Sequence, residues 1–322
     1  MKEEKILNKP VSDLAIVVPC YNEEDVLPET IKRLSQEIDS LIEEGLISNN
    51  SKIIFVDDGS RDGTWNIILN EGKTNNNVKG LKLAKNAGHQ NALLAGLLEA
   101  ESRFDCVISI DADLQDDLGV IREFIIQFHK GNDVVYGVRN SRKKDSYFKR
   151  TTAQQFYKIM RKMGVNLVYN HADYRLMSRR VLEHLREFNE VNLFLRGIIP
   201  LIGFESTNVY YERHERYAGE SKYPLKKMLA FAFDGITSFS VTPIRLITTL
   251  GFSMFIISFI MLVYVLYQRV FGYTVSGWPS LMISIWFIGG IQLIALGLIG
   301  EYIGKIYKEV KRRPRYIVEE EI

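Results

Sequence analysis

The chain is 322 residues long, 46% hydrophobic and 25% charged, with 41 Lys and Arg against 39 Asp and Glu for a net charge of +2. That length holds one substantial domain with an appended element, and so small a net charge excludes any charge-based case for a nucleic-acid partner. Two cysteines, Cys20 and Cys106, each in or beside an apolar run, exclude a disulfide framework or a zinc spacing.

Mean hydropathy is −0.05, an average that conceals an apolar excess in the last third. The first residues, Met1 to Lys5, are charged and lack an apolar h-region. No cleaved secretory signal is expected, and the bulk of the chain is expected in the cytoplasm.

Residues 14–18 are a β-branched run closed by Pro19, which predicts a buried strand leading into the loop Cys20-Tyr21-Asn22-Glu23-Glu24. A helix is predicted from about Val26, because Ile31, Leu34, Ile38, Leu41 and Ile42 recur at helical spacing and Gly45 suits its end. A second strand, 52–56, stops at Asp57-Asp58-Gly59-Ser60, and Thr64 or Asp62 can cap the helix that follows. The alternation continues with a strand over 78–83, a helix over 90–100, a strand over 106–110 and another over 133–138. Strands separated by helices imply βαβ crossovers and a mainly parallel α/β sheet covered on both faces. Ligands gather at the carboxyl ends of such strands, where Asn22, Asp57, Asp58, Asp111 and Asp113 all fall.

Past Arg139 the pattern changes to a basic segment, a helical stretch over 148–163, a strand over 204–213 and a polar loop over 218–223. Residues 224–243, apolar on one side, suit a juxtamembrane amphipathic helix or an ordinary packed one. Two apolar spans follow, 244–267 and 281–303, each long enough for the ~20 residues that cross a bilayer. The expected organisation is a cytoplasmic domain over 1–223, the juxtamembrane segment, a two-helix transmembrane hairpin within 244–304 and a basic tail over 305–322. The basic tail places both termini in the cytoplasm by the positive-inside rule, making a multi-pass protein of the inner (plasma) membrane. Gly289, Gly290, Gly297, Gly300 and Gly304 offer a small-residue face for helix packing, within the chain or in a homo-oligomer.

The run ending in Asp111-Ala112-Asp113-Leu114-Gln115 sets two carboxylates side by side where a buried strand emerges. Like charges so placed repel and lose hydration, and a divalent cation with a taste for hard oxygen ligands, Mg²⁺ or Mn²⁺, relieves both costs. An acidic surface turn is the alternative.

Pro19-Cys20-Tyr21-Asn22-Glu23, Val56-Asp57-Asp58-Gly59-Ser60 and Asp111-Ala112-Asp113-Leu114-Gln115 occur in this order at strand ends. Further segments are Asn86-Ala87-Gly88-His89-Gln90, Asp173-Tyr174-Arg175-Leu176, Phe194-Leu195-Arg196-Gly197 and Arg216-Tyr217-Ala218-Gly219-Glu220-Ser221-Lys222-Tyr223. Together they resemble inverting GT-A glycosyltransferases, the family that includes dolichyl-phosphate mannose synthases, and within it the bacterial undecaprenyl-phosphate glucosyltransferase type.

The resemblance implies a GT-A (Rossmann-like) fold and transfer of a hexose, glucose first, from a UDP-sugar to undecaprenyl phosphate with inversion. UDP-GlcNAc, GDP-mannose and a 4-amino-arabinose donor are the alternatives within the reaction. A non-catalytic nucleotide-sugar-binding membrane protein and a processive polysaccharide synthase are the alternatives outside it. Pro19, Tyr21, Asn22 and Glu23 are expected around the base, and Asp57 or Asp58 on the base and ribose, although Asp58 equally suits a helix cap.

Lys85, Asn86 and Gln90 are expected near the donor, with Lys85 replacing the arginine usual in relatives and so losing its bidentate fork. Asp113 is expected as the direct metal ligand, Asp111 nearer the ribose or the metal's outer coordination, with Ala112 and Gln115 alongside. Arg139, Arg196, Arg213, Arg216, Ser221 and Lys222 are expected on the acceptor phosphate and departing diphosphate.

Asp173 and Arg175 fall in the acceptor half. A lipid phosphate is already largely ionised near pH 7, its second pKa being about 6, so Asp173 is expected to orient Arg175 or the sugar rather than take a proton. His89 is expected to be structural.

Overall fold

A computed structural model describes residues 11–140, 171–191, 193–212, 242–271 and 277–322. Leu14, Ala15, Ile16, Val17 and Val18 are wholly buried, so the first apolar run becomes the central strand β1 (Leu14–Cys20). Helix α1 (Leu27–Glu43) follows with Pro28 in its first turn. It buries Leu27, Ile31, Leu34, Ile38 and Leu41, the face that helical periodicity predicts.

The alternation then runs β2 (Lys52–Asp57), α2 (Thr64–Thr74), β3 (Val78–Leu83), α3 (His89–Glu101), β4 (Cys106–Ser109), α4 (Val120–His129) and β5 (Val134–Arg139). Gly63 stands at the N-cap of α2, and Asp62 just before it accepts the Thr64 N–H on Oδ1 at 3.1 Å. Next come β6 (His171–Ser178), α5 (Arg179–Leu185), α6 (Leu195–Ile202) and β7 (Ser206–Tyr211).

These strands and β8 (Val318–Glu321) form one eight-stranded sheet in the order β7-β5-β6-β4-β1-β2-β3-β8. Pairs β1–β2, β1–β4, β2–β3 and β5–β7 are parallel, whereas β6 is antiparallel to both β4 and β5, and β8 to β3. The sheet is therefore mainly parallel, as predicted, with two reversed strands.

Neither reversed strand is predicted from the sequence. β6 carries Asp173 and Arg175 at buried positions, which hides its strand character from hydropathy. Within 305–322, where a basic tail is expected, the residues to Lys311 continue a helix and 318–321 belong to the sheet. The acidic β8 is held by its surroundings, since Trp65 Nε1 donates to Glu320 at 3.2 Å, Lys82 pairs with Glu319 at 3.2 Å and Arg103 with Glu321 at 3.1 Å.

The second compact unit contains α7 (Thr242–Val270) and α8 (Trp278–Lys311), which cover both predicted spans. Among the described residues, Phe287–Lys311 is the stretch long and apolar enough to cross a membrane, with mean hydropathy 1.6. Phe252, Ile260, Leu293 and Leu296 are each more than 60% exposed, an outward apolar surface that suits lipid better than water. The expected helix over 148–163 and the segment over 224–241 lie outside the described residues.

Candidate active site

The carboxyl edge of the sheet gathers loops from β1, β2, β3 and β4. Asn22, with φ of 54°, ties the first two together: its N–H donates to Ser60 Oγ at 2.9 Å and its Oδ1 accepts the Arg61 N–H at 2.9 Å. Glu23 is drawn into the same tie, its N–H donating to Thr64 Oγ1 at 3.0 Å. Pro19 is buried beneath them, and Tyr21 lies 44% exposed at the rim.

Asp57 and Asp58 are both buried but differ in what they bind. Asp58 spends both oxygens on backbone, accepting the Ala87 N–H at 2.6 Å and the Gly88 N–H at 3.0 Å, and so braces the loop between β3 and α3. Asp57 accepts the Ser60 N–H at 3.2 Å on Oδ1, while its buried Oδ2 has no hydrogen-bond partner among the described residues. Burial raises both carboxyl pKa values, against the pull of these hydrogen bonds. Between them the chain passes so close to the next loop that a Cβ on Gly59, whose φ is +67°, would stand 2.6 Å from Asn86 N.

At the end of β4, Thr30 Oγ1 of α1 donates to the Ala112 carbonyl at 2.8 Å and anchors the Asp111-Ala112-Asp113 turn from below. Asp113 is buried and accepts the Gln115 N–H at 3.2 Å, a turn completed by Leu114 at φ 54°. Burial raises the Asp111 carboxyl to about 6, with the carboxylates of Asp173, Asp116 and Asp113 adding to that rise against the pull of His89. Two oxygen-donor side chains on one tight turn suit a hard divalent cation. Among the described residues no cluster of three or more His, Cys, Asp or Glu that could hold a metal is found, and water and substrate phosphate are common further ligands of Mg²⁺.

Because β6 runs against its neighbours, its start lies at this same edge. Pairing of Ser109 with Arg175 brings Asp173 beside the carboxylates of β4. Asp173 accepts from Arg196 at 3.2 Å from Nε and 2.9 Å from Nη2, and from Arg175 Nη2 on its other side. Burial alone would raise its carboxyl, but the Arg196 and Arg175 guanidiniums more than offset this and hold it well below the usual carboxylate range. Arg175 is itself fully buried, with Nε and Nη1 unpartnered among the described residues. Nearby, Arg139 Nε donates to the Tyr211 hydroxyl at 3.3 Å and Nη2 lies 3.6 Å from Asp116, which accepts the Tyr211 hydroxyl proton.

The edge thus brings together Asp57, Asp111, Asp113, Asp173, Arg175 and Arg196. Asn22, Asp58 and Gln90 are turned toward the scaffold, the Gln90 Oε1 accepting the Leu195 N–H at 3.1 Å. Lys85 and Asn86 are exposed on the adjoining loop. Arg213, Arg216, Ser221 and Lys222 lie outside the described residues. Sequence reasoning missed Asp116 and Tyr211, whose only signal is their position just past β4 and at the end of β7. It also set His89 aside, yet His89 Nε2 lies 3.5 Å from Asp111 Oδ1 and 3.9 Å from Asp173 Oδ2.

A mainly parallel α/β sheet with carboxylates and guanidiniums meeting at its carboxyl edge defines the class of proteins that handle phosphorylated ligands there. The chain belongs to glycosyl transferase family 2, whose profile matches residues 15–186, and a profile described as the GtrB C-terminal hairpin matches residues 242–306. It is 60% identical to the uncharacterized glycosyltransferase YkoT of Bacillus subtilis (strain 168), over 95% of this chain and 91% of that one. It is also 41% identical to the bactoprenol glucosyl transferase of Shigella phage SfII, over 95% and 97%, and 39% identical to the prophage bactoprenol glucosyl transferase homolog of Escherichia coli (strain K12), over 95% and 98%. The protein is accordingly a membrane-associated, inverting glycosyltransferase.

Proposed function

We propose that this enzyme transfers glucose from UDP-glucose to undecaprenyl phosphate, inverting the anomeric centre to give a β-linked lipid-phosphate sugar for cell-envelope glycosylation. The observation that carries this reading is the state of Asp173. Clamped between Arg175 and Arg196 and held far below the ordinary carboxylate range, it is no base for a sugar hydroxyl. An acceptor that is already an anion needs none, and the same guanidiniums suit its phosphate. The names of the relatives in Shigella phage and Escherichia coli support bactoprenol and glucose as the pair.

In this reading the unpartnered Asp57 Oδ2 takes a base or ribose donor, and Pro19, Tyr21 and Glu23 shape the pocket around the base. Asp113, with Asp111, holds Mg²⁺ or Mn²⁺, which when bound offsets charge on the departing diphosphate. Arg139 and Arg196, with Arg213, Arg216, Ser221 and Lys222, gather the acceptor phosphate and align its oxygen with the anomeric carbon, while the buried Arg175 holds Asp173 in place. The two C-terminal helices cross the inner membrane with both termini cytoplasmic, which keeps the catalytic domain on the side of the nucleotide sugar. Return of the chain to the sheet as β8, after α8, supports that topology.

The test is transfer by purified full-length protein from a panel of radiolabelled nucleotide sugars to undecaprenyl phosphate or to undecaprenol. UDP-glucose with the phosphate is expected to react, and chelator to abolish the reaction. Efficient transfer to the free alcohol would overturn the case against a base, and a preference for another donor would reassign the sugar.

A further inference from the structure

His89 is the first residue of α3, and both of its flanks are committed. Before it, Ala87 and Gly88 give their N–H groups to Asp58 of the β2 loop. After it, Gln90 accepts the Leu195 N–H, at the start of the helix that carries Arg196. The imidazole between these ties is 46% exposed and packs in no core, yet one nitrogen, Nε2, lies 3.5 Å from Asp111 Oδ1 and 3.9 Å from Asp173 Oδ2. Those carboxylates stand on different strands, β4 and β6, and repel each other. Asp111 belongs to the donor half of the edge, whereas Asp173 anchors the two arginines of the acceptor half.

We infer that His89 is a positioning residue for the transfer, its Nε2 facing Asp111 and Asp173 at once so that the donor and acceptor halves keep one spacing. The inference rests on the functional reading above, in which an acceptor oxygen must reach the anomeric carbon in line with the diphosphate. Displacement by about 1 Å at such a step costs on the order of 100-fold in rate. The Gly88-His89-Gln90 segment thereby acts as a spacer: Gly88 is pinned to the nucleotide side, Gln90 to the helix of Arg196, and His89 to one acid from each.

The test uses the full-length enzyme carrying His89→Phe, which keeps a planar ring without a donor, and His89→Gln, whose amide nitrogen reaches the place of Nε2. His89→Phe is expected to lower kcat by about 30-fold while donor KM changes by less than about 3-fold, and His89→Gln to recover to within about 5-fold of wild type. A merely structural histidine would lower the melting temperature and the folded fraction in both variants without this split or rescue. Near-normal kcat in His89→Phe, no better rate in His89→Gln, or a loss confined to donor KM would overturn the role.

Wild-type turnover with the lipid phosphate reports on the functional reading alone. If it is absent, the same variants are compared with whichever donor and acceptor the panel shows to react. The same loss and rescue are expected there, and equal rates in wild type and His89→Phe overturn the inference.

Discussion

Asp173 answers to two arginines, and that pairing sets both its charge and its use. Its carboxyl is depressed in the folded protein, so the stability it contributes is present above the unfolded carboxylate pKa of about 3.9 and is lost as pH falls through the lower folded value. Asp173→Asn leaves Arg175 buried without its counter-charge, a change that costs about 3–5 kcal/mol at pH 7. The deficit relative to wild type is expected to begin shrinking below about pH 4, where the unfolded wild-type chain takes up a proton at Asp173 that the folded protein still excludes, and denaturant unfolding at pH 7 and pH 3 measures it. Asp113→Asn is expected to reduce sugar transfer by at least about 100-fold with the melting temperature nearly unchanged. Added Mn²⁺ then fails to restore the rate. That carboxylates line this edge is legible from the Asp pairs that end the buried runs of β2 and β4, because strand ends are a local signal. Which of Asp57 and Asp58 retains an unpartnered oxygen is not legible, since it depends on where the β3–α3 loop places two N–H groups.

Among the elements, β8 has the least strand-like sequence, Val318-Glu319-Glu320-Glu321, and yet closes one side of the sheet. Its pairing exchanges two backbone bonds between Gly80 and Ile322, at 3.3 and 2.9 Å, and seats Ile322 over Gly72 and Gly80, where a Cβ would come within 2.9 Å of it. Ile322→Ala is expected to lower stability by about 1–3 kcal/mol, since the side chain is only partly buried, and a thermal melt of the full-length protein checks it. Deleting residues 318–322 is expected to cost more, because it also leaves the edge of β3 unpaired. The predicted helices and parallel strands needed only periodicity. β6 and β8 needed partners: a polar strand forms where its neighbours satisfy its charges, and those neighbours lie far away in sequence.

For the whole molecule, the chain leaves the sheet after β7, enters α7 and α8, and rejoins the sheet at β8 through residues 312–317. With two membrane crossings, the connection between the helices is expected outside the cell. Cys20 and Cys106 are buried, which leaves a quiet background for thiol labelling. A membrane-impermeant maleimide is expected to label Gly277→Cys in intact cells and Glu319→Cys only after lysis. The reverse pattern would place the catalytic domain outside.

Residue order by itself determined the alternating α/β architecture, the carboxylates at strand ends and the apolar C-terminal helices, because each is written in neighbouring residues as periodicity, turn chemistry or hydropathy. Tertiary structure alone decided that β6 runs backwards, so that its first residues rather than its last reach the active edge. It also decided that Asp173 belongs to two arginines, and that His89 stands between acids from separate strands. Apart from Arg175, which lies two residues from Asp173 on the same strand, the partners are tens of positions apart, and their charges find one another only after the sheet has brought them together.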